Sequence, residues 1–143
     1  MIFGGYMAIK NTYFEQVSEF NKTVIGYEAP LKVTKLPADV KELSLIQLRE
    51  EIDELEESTT ATDEIDALLD LMYFANGALY KMGVTPPIFG SAATIIHQAN
   101  MTKAAGKKAA RGYSGTATDA VKPADFVPPE GLIAVLINDE EFK

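Results

Sequence analysis

An all-α protein is expected from this 143-residue chain on three observations. Apolar residues recur at three- and four-residue spacing through four stretches; Gly, Pro and Ser/Thr punctuate the breaks between them; and two dense acidic clusters fall on consecutive helical stretches. The clusters, Glu50-Glu51-Ile52-Asp53-Glu54 and Asp63-Glu64-Ile65-Asp66-Ala67-Leu68-Leu69-Asp70, are separated by a Ser/Thr hinge. Folding the two stretches against each other gathers several carboxylates around one point. Carboxylates crowded in that way repel unless a divalent cation sits between them, and hard oxygen donors suit Mg²⁺ or Mn²⁺. The pattern points to metal-assisted phosphate chemistry.

The first helix is expected from about Thr12 to Val24, with Phe14, Val17, Phe20, Asn21 and Val24 on one face, and Gly26 and Pro30 end it. In the connector from Gly26 to Ala38, Pro30 and Pro37 discourage helix, and its length suggests that it lines something. Asp39 or Ser44 is expected to cap the second helix, whose Leu45, Leu48, Ile52 and Leu55 form an apolar stripe ending near Ser58. Glu51 stands at the edge of that stripe, where a carboxylate needs a partner; Glu54 follows on the adjacent flank.

A third helix is expected to start between Thr60 and Asp63, capped from Ser58-Thr59-Thr60, with a core stripe of Ile65, Leu68, Leu69, Met72, Asn76 and Leu79. Asp66 and Asp70 lie one i,i+4 step apart, so an acidic row borders the apolar one, and Tyr73 and Gly77 continue that row. Met82-Gly83 closes the helix and Thr85-Pro86-Pro87 opens a fourth, on which His97, Asn100 and Lys103 share a polar row. Beyond Ala105 the pattern gives way to a loop or flap, and Leu132 to Ile137 reads as a short, β-compatible apolar run.

At this length a single domain spanning residues 1–143 is expected, with residues 1–10 as a loose leader and residues 104–143 as a C-terminal extension. No cysteine is present, which excludes disulfides, thiolate catalysis and cysteine-ligated zinc. The net charge of −8 argues against nucleic acid or an anionic membrane as partner. Charge is also segregated: Asp39 to Asp70 holds twelve acids against two bases, and Lys103 to Lys122 five bases against one acid. An acidic face that binds metal and a basic segment that closes on phosphate would explain this polarity, as would two solvated faces with no role. No apolar run is long enough for a membrane span and no signal-peptide pattern opens the chain, so a soluble, cytoplasmic protein is expected.

Acid-rich helix faces are usually just solvated, but exposed faces also tend to mix signs, and these acids have almost no basic neighbours within a turn. His97, the one histidine, is by itself better read as an ordinary surface residue. Gly106-Lys107-Lys108 lacks the Ser/Thr and the upstream Gly of a nucleotide-binding P-loop.

Leu45-Ile46, Glu50 to Leu55, Asp66 to Tyr73, Gly77-Ala78, Gly83, the row His97-Gln98-Ala99-Asn100-Met101-Thr102-Lys103 and Gly106-Lys107 together resemble the all-α nucleoside triphosphate pyrophosphohydrolases. The chain is most similar to short phage members of the MazG-like group, including the MazZ type. The resemblance implies hydrolysis of a nucleoside triphosphate, with dGTP or another purine first, to monophosphate and pyrophosphate. It implies Glu51, Glu54 and Asp70 as metal ligands, Glu50 as the carboxylate that orients or deprotonates water, and two or three Mg²⁺ ions per site, replaceable by Mn²⁺. Ala67 stands where the commoner Glu-x-x-Asp pattern has its first acid; Asp66 is the natural substitute and Asp63 a poorer one. Asn21 departs likewise from a frequent His. Lys103 with Lys107 or Lys122 would hold the distal phosphates, Asn100 would bond sugar or phosphate, and His97 shares its row. Phe20, Tyr27, Tyr73 and Tyr80 are candidates to stack on the base and equally for the core. A four-helix bundle-like protomer with a C-terminal flap is expected to assemble as a homodimer or homotetramer. Phosphoribosyl-ATP hydrolysis and a non-catalytic, antitoxin-like acidic scaffold are the alternatives.

Overall fold

The computed structural model describes residues 12–143; the expected leader at residues 1–10 lies outside them. The fold is helical, with five helices and one two-stranded ribbon among the described residues. The chain divides between Pro86 and Pro87 into two compact units.

In the first unit, α1 (Tyr13–Thr23) begins where the Thr12 side chain accepts the Glu15 N–H at 3.3 Å. The second helix, α2 (Ala38–Glu57), starts without a side-chain cap: Pro37 precedes it, Asp39 lies in its first turn, and the Ser44 hydroxyl donates back to the Val40 carbonyl at 2.8 Å. Neither expected cap is used, because Pro37 already sets a helix-compatible entry and leaves Asp39 inside the helix, where its charge favours the positive end of the dipole. In α3 (Ala61–Lys81), Thr60 accepts the Asp63 N–H at 3.1 Å while its hydroxyl donates to Asp63 Oδ2 at 2.7 Å.

Both α1 and α2 pack on α3. Phe14 and Val17 of α1 and Ala67 of α3 are buried, and the Tyr13 hydroxyl donates to the Leu69 carbonyl at 2.9 Å. Helices α1 and α3 approach closely at Gly77, where a Cβ would stand 3.1 Å from Asn21 Nδ2. The proline-bearing connector is held against the end of α3: Tyr80 donates to the Tyr27 carbonyl at 2.9 Å and the Thr34 N–H to the Met82 carbonyl at 2.9 Å.

The apolar stripes are disposed differently from expectation. On α2 the buried residues are Ser44 and Glu51, while Leu45 and Ile52 are exposed and Leu48 and Leu55 half-buried. On α3, Ala67, Asn76 and Gly77 are buried, and Ile65, Leu68, Leu69 and Met72 are exposed. Small and polar residues let α2 and α3 come together, and the face carrying the larger apolar side chains is turned outward.

The second unit contains α4 (Pro86–Met101), strand β1 (Ala104–Gly106), a 3₁₀ turn at Ala109–Arg111, strand β2 (Asp119–Val121) and α5 (Glu130–Ile137). With α4 placed here, the packed helical group of the first unit has three members. The strands are antiparallel and pair Ala104 with Val121, Ala105 with Ala120 and Gly106 with Asp119, so the expected flap carries a ribbon. The run Leu132 to Ile137 is helix rather than strand. Its flanks decide this: Glu130 falls in the first turn and Asn138 closes the helix at φ 54°, whereas a short apolar run alone fits either state. No described helix is long and apolar enough to cross a membrane.

Candidate active site

Glu51 is the organising residue. Its position on α2 turns it toward α3, where it is 7 % exposed, and its Oε2 has no hydrogen-bond partner. Its proton is held above the ordinary glutamate range, first by burial, then by the charges of Glu54 and Asp70, a side-chain hydrogen bond with Glu54, and the charge of Asp66. A buried carboxylate oxygen left unpaired is costly, about 1–3 kcal/mol or more. Such a group calls for an explanation, a catalytic role or an ion among them.

Asp70, half-buried on α3, acts on three neighbours. Besides Glu51, it pushes up the hydroxyls of Tyr13 and Tyr73, in both cases after burial as the larger cause. Tyr73 packs edge-on to Tyr13 at 5.8 Å and to Phe20 at 5.4 Å between ring centres, forming an aromatic wall beside the acids. Behind it lies a cavity of about 50 Å³ lined in part by Asn21, Ser44, Gln47 and Tyr73. Asn21 is buried, and its Nδ2 donates to the Val17 carbonyl at 2.9 Å. Tyr80 is tied to the connector, and Tyr27 lies under the Lys81 ammonium at 5.7 Å.

The structure distinguishes the two substitutes for the missing third-helix acid. Ala67 is buried at the helix contact, so a larger side chain there would have to displace a neighbour. Asp63 is engaged with Thr60 in the helix cap, whereas Asp66 is within electrostatic reach of Glu51. Glu50, Glu54 and Asp66 are exposed. Among the described residues no three acids or histidines stand close enough to enclose an ion as they lie. The acids nevertheless fit a hard divalent cation: the donors are carboxylate oxygens, and one buried oxygen is unpaired. Glu51, Glu54, Asp66 and Asp70 are the residues that would hold it.

Residues 17–98 match the phosphoribosyl-ATP pyrophosphohydrolase family, more than half of the chain. The chain belongs to that family. Phosphoribosyl-ATP pyrophosphohydrolases lie within the MazG-like all-α nucleoside triphosphate pyrophosphohydrolase superfamily, so this is a pyrophosphohydrolase-type enzyme acting on nucleotides. No curated protein matches the chain. The family match takes in Glu50, Glu51, Glu54, Asp66 and Asp70 and ends one residue after His97.

The remaining sequence candidates lie in the second unit. His97 and Asn100 are exposed on α4. Asn100 Oδ1 accepts from Lys103 Nζ at 2.7 Å, Lys107 Nζ donates to the Gly115 carbonyl at 3.3 Å, and Lys103 and Lys122 both approach the Phe126 ring. Sequence reasoning passed over Tyr13 and Phe126. Tyr13 lies one heptad before Phe20 on the same helical row, which was a usable signal; Phe126 lies in irregular chain, where periodicity says nothing.

Proposed function

We propose that the chain adds water across the α–β phosphoanhydride bond of a nucleoside triphosphate, releasing a nucleoside monophosphate and pyrophosphate. The buried, unpaired carboxylate of Glu51 among Glu54, Asp66 and Asp70 carries this reading. These four hold Mg²⁺, with Mn²⁺ able to replace it, as two or three ions per site. When bound, the metal supplies neutralisation of phosphate charge and a more acidic water. Glu50, next to Glu51 and exposed on α2, orients the attacking water or takes its proton. Read from the sequence, Asn21 and Tyr73 of the first unit are assigned to the base, and His97, Asn100, Lys103, Lys107 and Lys122 of the second are assigned separately to sugar and phosphate. The phage MazZ-type resemblance favours dGTP or another purine deoxynucleotide.

A second reading, hydrolysis of phosphoribosyl-ATP, is favoured by the matched family itself. One panel separates the two. Purified protein with Mg²⁺ is expected to release pyrophosphate from at least one nucleoside triphosphate, dGTP foremost. Release from phosphoribosyl-ATP alone would select the second reading. Stabilisation by Mn²⁺ with no turnover across the whole panel would instead favour a scaffold.

A homodimer or homotetramer completes the proposal. Leu45, Ile52, Ile65, Leu68, Leu69 and Met72 are exposed on the two acid-bearing helices, an apolar set suited to a second copy of the chain. Light scattering is expected to give a mass of two or four chains, and Leu68→Glu to shift it toward one. A wild-type monomer would refute the assembly and leave the catalytic reading in place.

A further inference from the structure

The second unit holds a cavity of about 240 Å³ that is lined by none of the residues given a role above. Part of its wall is a single face of α4, where Ile95, Ala99 and Thr102 recur at four- and three-residue spacing. The rest is a turn closed by the Phe126 N–H on the Pro123 carbonyl at 3.1 Å, the Pro128-Pro129 pair, and Leu132 in the first turn of α5. Each of the three prolines fixes its own φ, so this wall is set before anything enters. The cavity has room for about eight waters and falls short of the roughly 300 Å³ at which drug-sized ligands begin to fit. One ring system suits it.

Three lining side chains are polar: Gln98, Thr102 and Asp125. The Thr102 hydroxyl donates to the Ala99 carbonyl at 2.7 Å, which leaves its oxygen as an acceptor. The Asp125 carboxylate, on the turn, has no hydrogen bond or ion pair among the described residues. The bases of the ribbon are engaged elsewhere: Arg111 pairs with Asp119 at 2.8 Å, the charges of Lys108 and Lys103 act on that same carboxylate, and Lys122 lies 4.9 Å from the centre of the Phe126 ring. The lining is therefore rich in acceptors, with one negative charge and no positive one. It repels an anionic group and matches a flat, uncharged ring that offers adjacent N–H donors. Among the nucleobases guanine sets two donors side by side, N1–H and the N2 amino group, to meet the two oxygens of a carboxylate, and its O6 accepts from an amide. Adenine and cytosine place a ring-nitrogen lone pair beside their amino group, and thymine flanks its one N–H with carbonyls, so each turns a lone pair toward Asp125.

We propose that this cavity is a guanine site, in which the apolar walls take the faces of the ring, Asp125 accepts from N1–H and the N2 amino group, and Gln98 donates to O6. Thr102 and Asp125 lie beyond residue 98, where the family match ends. The site deepens the enzymatic reading by naming a base. It rests on that reading for the nucleotide that carries the base, which is either the substrate or a second guanine nucleotide. Occupancy by the base itself requires neither metal nor phosphate.

The test uses the full chain in EDTA, titrated with 2′-deoxyguanosine and followed by saturation-transfer NMR, with deoxyadenosine in parallel. Wild type is expected to bind deoxyguanosine at least about tenfold more tightly than deoxyadenosine. Asp125→Asn, which turns one acceptor into a donor facing the N–H groups, is expected to weaken deoxyguanosine by at least about tenfold, the worth of one charge-assisted hydrogen bond. Glu140→Gln, which removes the same charge from the same unit outside the lining, is expected to change it by less than about twofold. Ala99→Leu fills the cavity while keeping Asp125, and is expected to abolish binding. Melting of Asp125→Asn should be unchanged, because the residue is exposed on a turn. With Mg²⁺ present, deoxyguanosine that raises the KM for dGTP identifies the substrate as the source of the base, and an unchanged KM identifies a second nucleotide; either supports the site. Equal deoxyguanosine affinity in wild type and Asp125→Asn overturns it, as does equal affinity for the two nucleosides or no binding by wild type at about 1 mM. Intact nucleoside binding with no hydrolysis would refute only the enzymatic reading, and hydrolysis without nucleoside binding only the guanine site.

Discussion

Glu51→Gln is expected to reduce pyrophosphate release by at least about 100-fold and, in metal-free protein at neutral pH, to raise the melting temperature by about 2–5 °C. The substitution keeps the shape of the side chain and removes its charge. Burial and the charges of Glu54 on the same helix and of Asp66 and Asp70 on α3 all raise the Glu51 proton affinity in the folded chain. A group whose folded pKa lies above its unfolded value binds a proton more tightly on folding, so its contribution is fully present below the unfolded pKa. That contribution is lost as pH rises through the raised folded value.

Metal-free wild type is therefore expected to lose stability as pH climbs from the ordinary glutamate value of 4.5 toward neutrality, while the Gln variant loses less over the same window. Mg²⁺ or Mn²⁺ should close the gap by stabilising wild type and leaving the variant nearly unmoved. Thermal melts with and without metal, from about pH 5 to pH 8, read all of this. A Gln variant less stable than metal-free wild type at neutral pH would show that Glu51 already has a partner in the fold. Undiminished turnover would remove it from the site.

Gly83→Ala is expected to cost about 2–4 kcal/mol, lowering the melting temperature by roughly 10 °C. Gly83 closes α3 at φ 90°, a conformation that favours glycine, and a Cβ there would stand 2.7 Å from the Pro30 carbonyl oxygen and 3.1 Å from that of Lys32. Both contacts are backbone, so neither can swing aside. The connector that would have to yield is pinned by the Thr34–Met82 and Tyr80–Tyr27 hydrogen bonds. The acids sit in the N-terminal half of α3, away from Gly83 along the helix, so turnover well below the melting transition should be retained. A melting temperature within a degree or two of wild type would show that the connector relaxes freely.

Helix positions were legible because their signals are local. Thr12 and Thr60 cap, Gly83 terminates, and the periodicity between them sets length. The α2 start differs from expectation because Asp39 and Ser44 are both good caps in isolation, and only the chain path through Pro37 shows that neither is used. Leu132 to Ile137 departs from expectation for a related reason: six apolar residues carry no period, and the flanking Glu130 and Asn138 decide the state. At the site, Glu51 stood out as a carboxylate beside an apolar stripe, and Asp66 as a neighbour of Asp70. That Asp63 belongs to the cap and Asp66 to the neighbourhood of Glu51 needed the helices in place.

The residues alone determined the helical class, the extent of α1 and α3 and which carboxylates were available, because capping, periodicity and composition act within a turn or two of chain. Which edge of α2 faces α3 was decided in three dimensions. The apolar stripe read from periodicity would have put Leu45 and Ile52 inside; the packed helices put Ser44 and Glu51 there instead. The physical reason is that α3 buries small and polar residues, Ala67, Asn76 and Gly77, the last against Asn21 of α1, while its larger apolar side chains stay exposed. The same rotation buries the Glu51 carboxylate and leaves one of its oxygens without a partner.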